Sequence, residues 1–467
     1  MPDSAGRFTA VRRTCGAAAS GLALAVATPL ASLTGPVAER LLLAVILLDI
    51  PVQFETSLAF RDDAEEFGGL SGFSLSVTTL ALLLLYCRWA MLTLTSRGQA
   101  GDRSGARLSR PLVLYLAFAI VSAAASADIA LSLRELLVLL QAFLIYVYLV
   151  TWMRTREDIG FVTLVLLASL AFESVVMFYA AHVGETSSLP GLRRIQVSEE
   201  GAAGGILRVG GTVGAPNSAA AYLTLLIAPA VAVLFARARF AGKVLAAVSA
   251  VLALGALVLT QSRGGWLAAL ISLTVVWFAN VRPDGRWIAR SAFAAALIAL
   301  VLVLSQGVIS NRLSSDDEGA AQSRLPLMQT ALEIIRDHPL LGVGPNNYGT
   351  TIRQYGAVYG KWGDWVYTVH NKFLLVWAET GVAGLIAFVW FLAETIRLGW
   401  RGWQAGDPWL SPLALGFTAA LIGHVAHMQV DLFNARPQVE MLWVTAAVVA
   451  VIAAVVRDPH VRAGVAQ

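Results

Sequence analysis

Apolar runs about as long as a bilayer is thick recur from one end of this chain to the other, and they constrain its fold more than any other feature. A helix needs about 20 residues to cross the hydrocarbon core. Runs of that order lie near 38–54, 70–92, 111–127, 134–153, 159–181, 217–236, 242–260, 265–280, 287–307, 372–398, 409–430 and 438–456. They predict an all-α polytopic membrane protein with about 12 transmembrane helices. Composition agrees, because only 14% of the 467 residues are charged and 57% are hydrophobic, whereas soluble domains carry about 25% charged residues. Cys15 and Cys87 are the only cysteines, which suggests neither a disulfide framework nor a metal site.

The net charge of +4 is a matter of topology rather than of a nucleic-acid patch, since the basic residues sit in short connections between the runs. Arg97, Arg103, Arg107 and Arg110 occupy one connection, Arg154 and Arg156 the next, then Arg237, Arg239 and Lys243. Arg282, Arg286 and Arg290, then Arg397 and Arg401, and finally Arg457 and Arg462 in the tail complete the set. With twelve spans all of these fall on one side, and the positive-inside bias makes that side cytoplasmic. The acidic connection Asp62, Asp63, Glu65 and Glu66 falls opposite. Both termini are then expected in the cytoplasm. Residues 16–34, rich in Ala, Gly, Ser and Thr, are read as interfacial; a crossing segment or a signal peptide is the alternative. The expected organisation is a cytoplasmic or interfacial segment 1–37, nine helices over 38–307, an outward loop 308–371, three helices over 372–456, and a cytoplasmic tail 457–467.

Three outward connections draw attention: 182–216, the tight turn 261–264, and 308–371. A connection as long as the last needs structure of its own. Its stretch 324–337 places Leu325, Met328, Leu332 and Ile335 at helical spacing, with Gln329, Glu333 and Arg336 on the other face. That pattern predicts an amphipathic helix on the membrane surface. His338-Pro339 ends it, because the residue before a proline disfavours the helical region.

Charged groups at the membrane are costly and usually functional. Arg263, at the reversal between two spans, either snorkels to headgroups or offers its planar fork of donors to a diphosphate. Arg324 at the start of the loop helix opposes the dipole and calls for an anionic partner, whether Asp316, Asp317, Glu318 or a ligand. His370 at the start of a span has an imidazole suited to proton transfer near neutral pH, or a structural place in the loop. His338 is read first as a capping or packing residue. Glu379 lies inside the span that His370 precedes.

These residues carry a resemblance. HNKFLLVWAETGVAG (370–384) fits a pattern of His, a small polar residue, nine residues, Gly, two residues and Gly. It resembles the hallmark of the O-antigen ligase and polymerase family of bacterial membrane glycosyltransferases. RLPLMQTALEIIRDHPLLGVGPNNYG (324–349), GGTVGAPNSAAAYL (210–223) and TQSRGGWLA (260–268) are similar to other blocks of that family, in its order. The resemblance implies a GT-C-like fold working at the periplasmic face of the inner membrane. It implies transfer of a glycan from undecaprenyl diphosphate to an acceptor hydroxyl on a glycan or on lipid A-core, without metal or other cofactor. Carried over, His370 corresponds to the catalytic histidine and Arg263 and Arg324 to the diphosphate-binding arginines. Arg208 is a substitute for Arg263, and Asn217, His338, Asn371 and Glu379 are supporting candidates. Polymerase is slightly preferred over ligase. The rival from another class is a secondary transporter of a small anion or glycolipid, which predicts broken helices, a central polar pathway and an inverted repeat; no convincing repeat is evident in the sequence.

Overall fold

The computed structural model describes residues 35–59, 70, 72–95, 109–184, 186, 195–200, 206–280, 320–355 and 368–457. Within them the chain forms helices α1 (Pro36–Val52), α2 (Val77–Thr95), α3 (Arg110–Ala124), α4 (Ile129–Trp152), α5 (Arg156–Val183), α6 (Pro216–Phe235), α7 (Phe240–Leu259) and α8 (Arg263–Asn280). α9 (Ala320–Asp337), the short α10 (Tyr348–Ile352), α11 (Lys372–Gln404), α12 (Leu410–His427) and α13 (Arg436–Val455) follow. Eleven of the twelve apolar runs thus fold as helices; 287–307 lies outside the described residues, as do 16–34, 308–319 and 356–367. Seven helices among the described residues (α4–α7 and α11–α13) are long and apolar enough to cross a membrane.

Local chemistry sets where these helices begin. Proline occupies the first turn of α1, α3, α6 and α13, where its missing N–H costs nothing and its φ is already helical. Asp128 caps α4 by accepting from the Leu131 N–H at 3.1 Å, so that helix starts five residues before the expected 134. Thr155 and Asp158 form a reciprocal capping box on α5, satisfying two orphan donors at once.

Two short antiparallel hairpins were not anticipated: β1 (Glu55–Leu58) with β2 (Phe73–Ser76), and β3 (Gln196–Glu200) with β4 (Ile206–Gly211). The first takes 73–76 from what reads as the start of a span. Both sit at one end of the helix bundle. Gln53 donates to the carbonyls of Thr212 and Val213, each at 2.9 Å, tying the two hairpins together.

α6, α12 and α13 are the most enclosed helices, buried over 78%, 78% and 89% of their apolar windows. Small residues allow this. A side chain at Gly416 of α12 would collide with Ala232 and the backbone of Pro229 in α6, and close backbone approach is what drives association where lipid removes the hydrophobic advantage.

A second, smaller core forms where α9 meets α11. Leu327, Ala331, Ile334 and Ile335 pack with Val343, Tyr348, Ile352, Val369, Leu375 and Ala378. Of the apolar row expected to face the membrane surface, this core takes up only part. Ile335 is buried and Met328 partly so, but Leu325 and Leu332 remain 63% and 41% exposed. α9 carries two apolar rows about a third of a turn apart, and periodicity alone does not say which one a partner covers. Gln329, Glu333 and Arg336 are exposed as expected. The helix also starts four residues before 324, extended by Ala320 and Ala321, which favour helix.

α11 is broken at Gly381, whose φ of 70° and ψ of −179° interrupt its helical path. The freed backbone groups pair with the segment following α9. Val343 N–H donates to Ala378 O and Gly344 N–H to Glu379 O, both at 2.9 Å, and Val382 N–H donates to Pro339 O at 3.1 Å. Ser122 Oγ adds a bond to Glu379 O at 2.6 Å. Non-helical backbone at membrane depth is tolerated where protein buries it, and here the break is filled by chain rather than opened as a pathway. A Cβ at Gly381 would stand 1.9 Å from Leu340 O, in a φ/ψ region that is essentially glycine-only. Gly381→Ala is expected to destabilise the protein by at least the strain term, on the order of 1–3 kcal/mol. A lowered thermal midpoint of the purified protein in detergent checks this, and an unchanged midpoint counts against the clash.

Candidate active site

The turn between α7 and α8 is held by β4. Arg208 Nε donates to Thr260 O at 3.1 Å and Arg208 Nη2 to Asn217 Oδ1 at 2.7 Å. Gln261, at φ 53°, reaches back to Leu207 O at 2.9 Å. Ser262 accepts from the Gly265 N–H at 3.2 Å, capping α8, so that Arg263 is its first residue and its side chain is exposed. Arg208 was a stand-in for Arg263 in the sequence; the fold brings both to one turn. Two guanidiniums beside a helix N-terminus, whose dipole also favours negative charge, make an electropositive corner.

The glycine-rich block that precedes α6 has a structural task. Glu173 of α5 is fully buried and accepts from the Thr212 N–H at 2.9 Å and from the Thr212 hydroxyl. Gly211, at φ 60°, passes so close that a Cβ there would lie 2.1 Å from the Glu173 carboxylate. The block wraps a carboxylate and leads Asn217 to the first turn of α6 beneath Arg208.

His370 stands in a bend just before α11, partly exposed. Asn371 is the N-cap, accepting from Phe373 and Leu374 N–H at 3.0 and 3.1 Å. Its Nδ2 donates to Gln429 O at 3.1 Å. Lys372 N–H donates to Met428 O at 2.9 Å, and its ammonium bonds to Asn434. His370 is thus positioned by a capping asparagine docked onto the connection 428–435 between α12 and α13. That connection also touches the Arg263 turn, because Gly264 lies against the His427 ring and Val430. A cavity of ≈ 20 Å³, room for roughly one water, lies beneath it, lined in part by Lys372, His424 and Gln438.

Residues 427–436 were missed in the sequence. Its charged residues Asp431 and Arg436, close to the end of one apolar run and the start of the next, are the signal that could have found it. Arg436, 4% exposed, pairs with Asp49 and Glu55, both at 2.7 Å. Asp49 further accepts from the Phe54 N–H at 2.8 Å and the Thr78 hydroxyl at 2.6 Å, joining α13, α1, the first hairpin and α2.

The other candidates lie round the α9–α11 junction. His338 directly follows α9 with an exposed side chain; its N–H donates to Ile334 O and its carbonyl accepts from Gly342 N–H. Glu379 is buried, its carboxylate near the backbone N–H groups of Asn346 and Tyr348 and the charge of Lys372, so it lies against the loop 344–348. Asn347 reinforces that loop by bonding the Asp128 N–H and Ser132 Oγ. Tyr355, after α10, donates to Asp337 at 2.7 Å; partial burial and the Asp337 and Glu333 carboxylates push its phenol up to about 12, which keeps it a donor. Arg324 is the fifth residue of α9, one turn inside rather than at its start; its side chain and Asp316, Asp317 and Glu318 lie outside what is described.

From the middle of α7 to the middle of α11, residues 248–389 match the family model described as O-antigen ligase. The chain carries an O-antigen ligase domain. Its match holds Arg263, Arg324, His338, His370, Asn371 and Glu379, while Arg208 and Asn217 precede it. No curated protein matches the chain. The domain and the apolar helices together support a multi-pass bacterial membrane protein with a ligase- or polymerase-type role in polysaccharide biosynthesis.

Proposed function

We propose that this protein transfers a glycan from undecaprenyl diphosphate to an acceptor hydroxyl at the periplasmic face of the bacterial inner membrane. The observation that carries the reading is the convergence of the Arg208–Arg263 corner and the His370 bend on the single connection 427–430, with Arg263 and His370 inside the O-antigen ligase domain.

In this reading Arg263 and Arg324 bind the donor diphosphate, with Arg208 and Asn217 supporting the first of them. The glycosidic carbon already carries a good leaving group, so the main demand is stabilisation of the charge that develops on it. Guanidinium forks meet that demand without calling for a divalent ion. His370 accepts the proton of the acceptor hydroxyl while the oxygen attacks the anomeric carbon. The bond from that carbon to the phosphate oxygen breaks, undecaprenyl diphosphate departs with the electron pair, and configuration inverts. The exposed leucines Leu325, Leu332, Leu340 and Leu341 suit an outer surface that meets lipid. A repeat-unit acceptor makes the protein a polymerase and a lipid A-core acceptor makes it a ligase; we favour the polymerase.

The transporter reading draws on the broken helix α11, but the break is occupied by residues 339–344. Reconstitution in sealed vesicles with lipid-linked donor tests the proposal. Turnover of donor without solute flux is the expected result. Arg263→Ala and Arg324→Ala are each expected to weaken donor binding about tenfold or more, since hydrogen bonds to charged groups contribute about 1.5–3 kcal/mol. Unchanged donor affinity in both variants overturns the diphosphate assignment.

A further inference from the structure

α8 and α12 lie antiparallel and very close. A Cβ at Gly423 of α12 would stand 2.3 Å from Ala268 O in α8. One turn further along each helix the pairing repeats: a Cβ at Gly264 would lie 2.7 and 2.8 Å from Cδ2 and Nε2 of His427. His427 is 2% exposed, so its ring has little room to yield. Phe433 presses on its other side with ring centroids 4.6 Å apart, and also stacks on His424 at 5.0 Å. Phe433 holds a φ of 43°, a conformation that a bulky residue adopts only where the surroundings force it.

The same turn of chain reaches the other half of the site. From His427 to Gln429 is two residues, at most about 7 Å of backbone, and the Gln429 carbonyl holds Asn371 beside His370. Asn371 fixes the His370 bend and Gly264 adjoins Arg263, so the thickness of the His427 ring enters directly into the spacing between the two.

We infer that His427 is a positioning residue that sets the Arg263 turn at the separation from His370 that a donor's diphosphate and reacting sugar must bridge. This rests on the glycosyl-transfer reading above. The ring acts as a spacer, touching neither donor nor acceptor. Its size matters more than its charge, and glycine is required at 264 because the ring fills the place of a side chain.

The test is a size exchange measured on the full-length protein in lipid vesicles, with lipid-linked glycan as donor. Gly264→Ala is expected to raise the donor KM, with acceptor KM unchanged, and to lower kcat/KM for the donor by about 10²-fold, the loss in catalysis that a displacement of about 1 Å can cause. His427→Ala, which removes atoms instead of adding them, is expected to raise the donor KM less. The double variant Gly264→Ala/His427→Ala is expected to recover most of the loss seen in Gly264→Ala, since coupled neighbours depart from additivity. A purely structural role would lower the amount of active protein, and so the apparent kcat, with donor KM unmoved. Wild-type donor KM in Gly264→Ala, or strict additivity in the double variant, overturns the inference. If Gly264→Ala does not fold, a wild-type donor KM in His427→Ala does so alone. The wild-type protein and His370→Ala run alongside separate the two claims: no transfer by the wild-type protein sinks the glycosyl-transfer reading, whereas wild-type transfer that His370→Ala loses, with unmoved donor KM in the other variants, sinks only the spacer.

Discussion

His370→Ala is expected to lower glycan transfer by about 10²–10⁴-fold, the range that a positioned general base contributes, while donor binding and expression stay near wild type. The expectation follows from the way the residue is presented. Asn371 caps α11 through its side-chain oxygen and docks on Gln429 through its amide, so the bend is held from both sides while the imidazole stays partly exposed. Removing the ring deletes a proton acceptor and leaves this backbone frame in place. Transfer measured in reconstituted vesicles, with donor affinity measured separately, checks the prediction. Wild-type turnover by the variant would sink the catalytic role, and loss of donor binding would recast His370 as a binding residue.

Arg436→Leu is expected to be the most destabilising single substitution away from the site. Its guanidinium bonds to both Asp49 and Glu55, each at 2.7 Å, with Asp49 itself 4% exposed. Removing one partner of a buried pair leaves an uncompensated charge, a loss of about 3–5 kcal/mol. The loss should appear as a lower thermal midpoint in detergent and lower membrane yield. Because it arises from stranded carboxylates, Glu440 at 3.6 Å included, Asp49→Asn, Glu55→Gln and Glu440→Gln placed in the Arg436→Leu background should restore part of it. A quadruple variant no more stable than Arg436→Leu would show that the arginine acts through packing instead.

Much of the helical scaffold was legible in advance. Apolar runs long enough to span a bilayer have few other ways to fold, and prolines at helix starts, the Thr155–Asp158 box and Asn371 mark ends through purely local chemistry. His338-Pro339 stopped α9 where it was expected to, because a proline's effect on its predecessor is also local. The short hairpins were not legible, since four-residue strands carry too little pattern. Nor was the buried row of α9, because only α11 decides which of two apolar rows is covered.

The chain's electropositive corner and its His370 bend show the same division. Sequence alone determined that Arg263 lies at a reversal between two apolar runs, that His370 precedes another, and that a glycine-marked pattern follows it. Those are statements about residues near each other in the chain. Only the tertiary structure decided that Arg208 joins Arg263 at one turn, that Glu379 lies against the loop 344–348, and that residues 427–430 link the two halves. The partners in those contacts stand up to 163 residues apart, as Gly264 and His427 do, and they meet because α8 and α12 pack closely enough for glycine to be required between them.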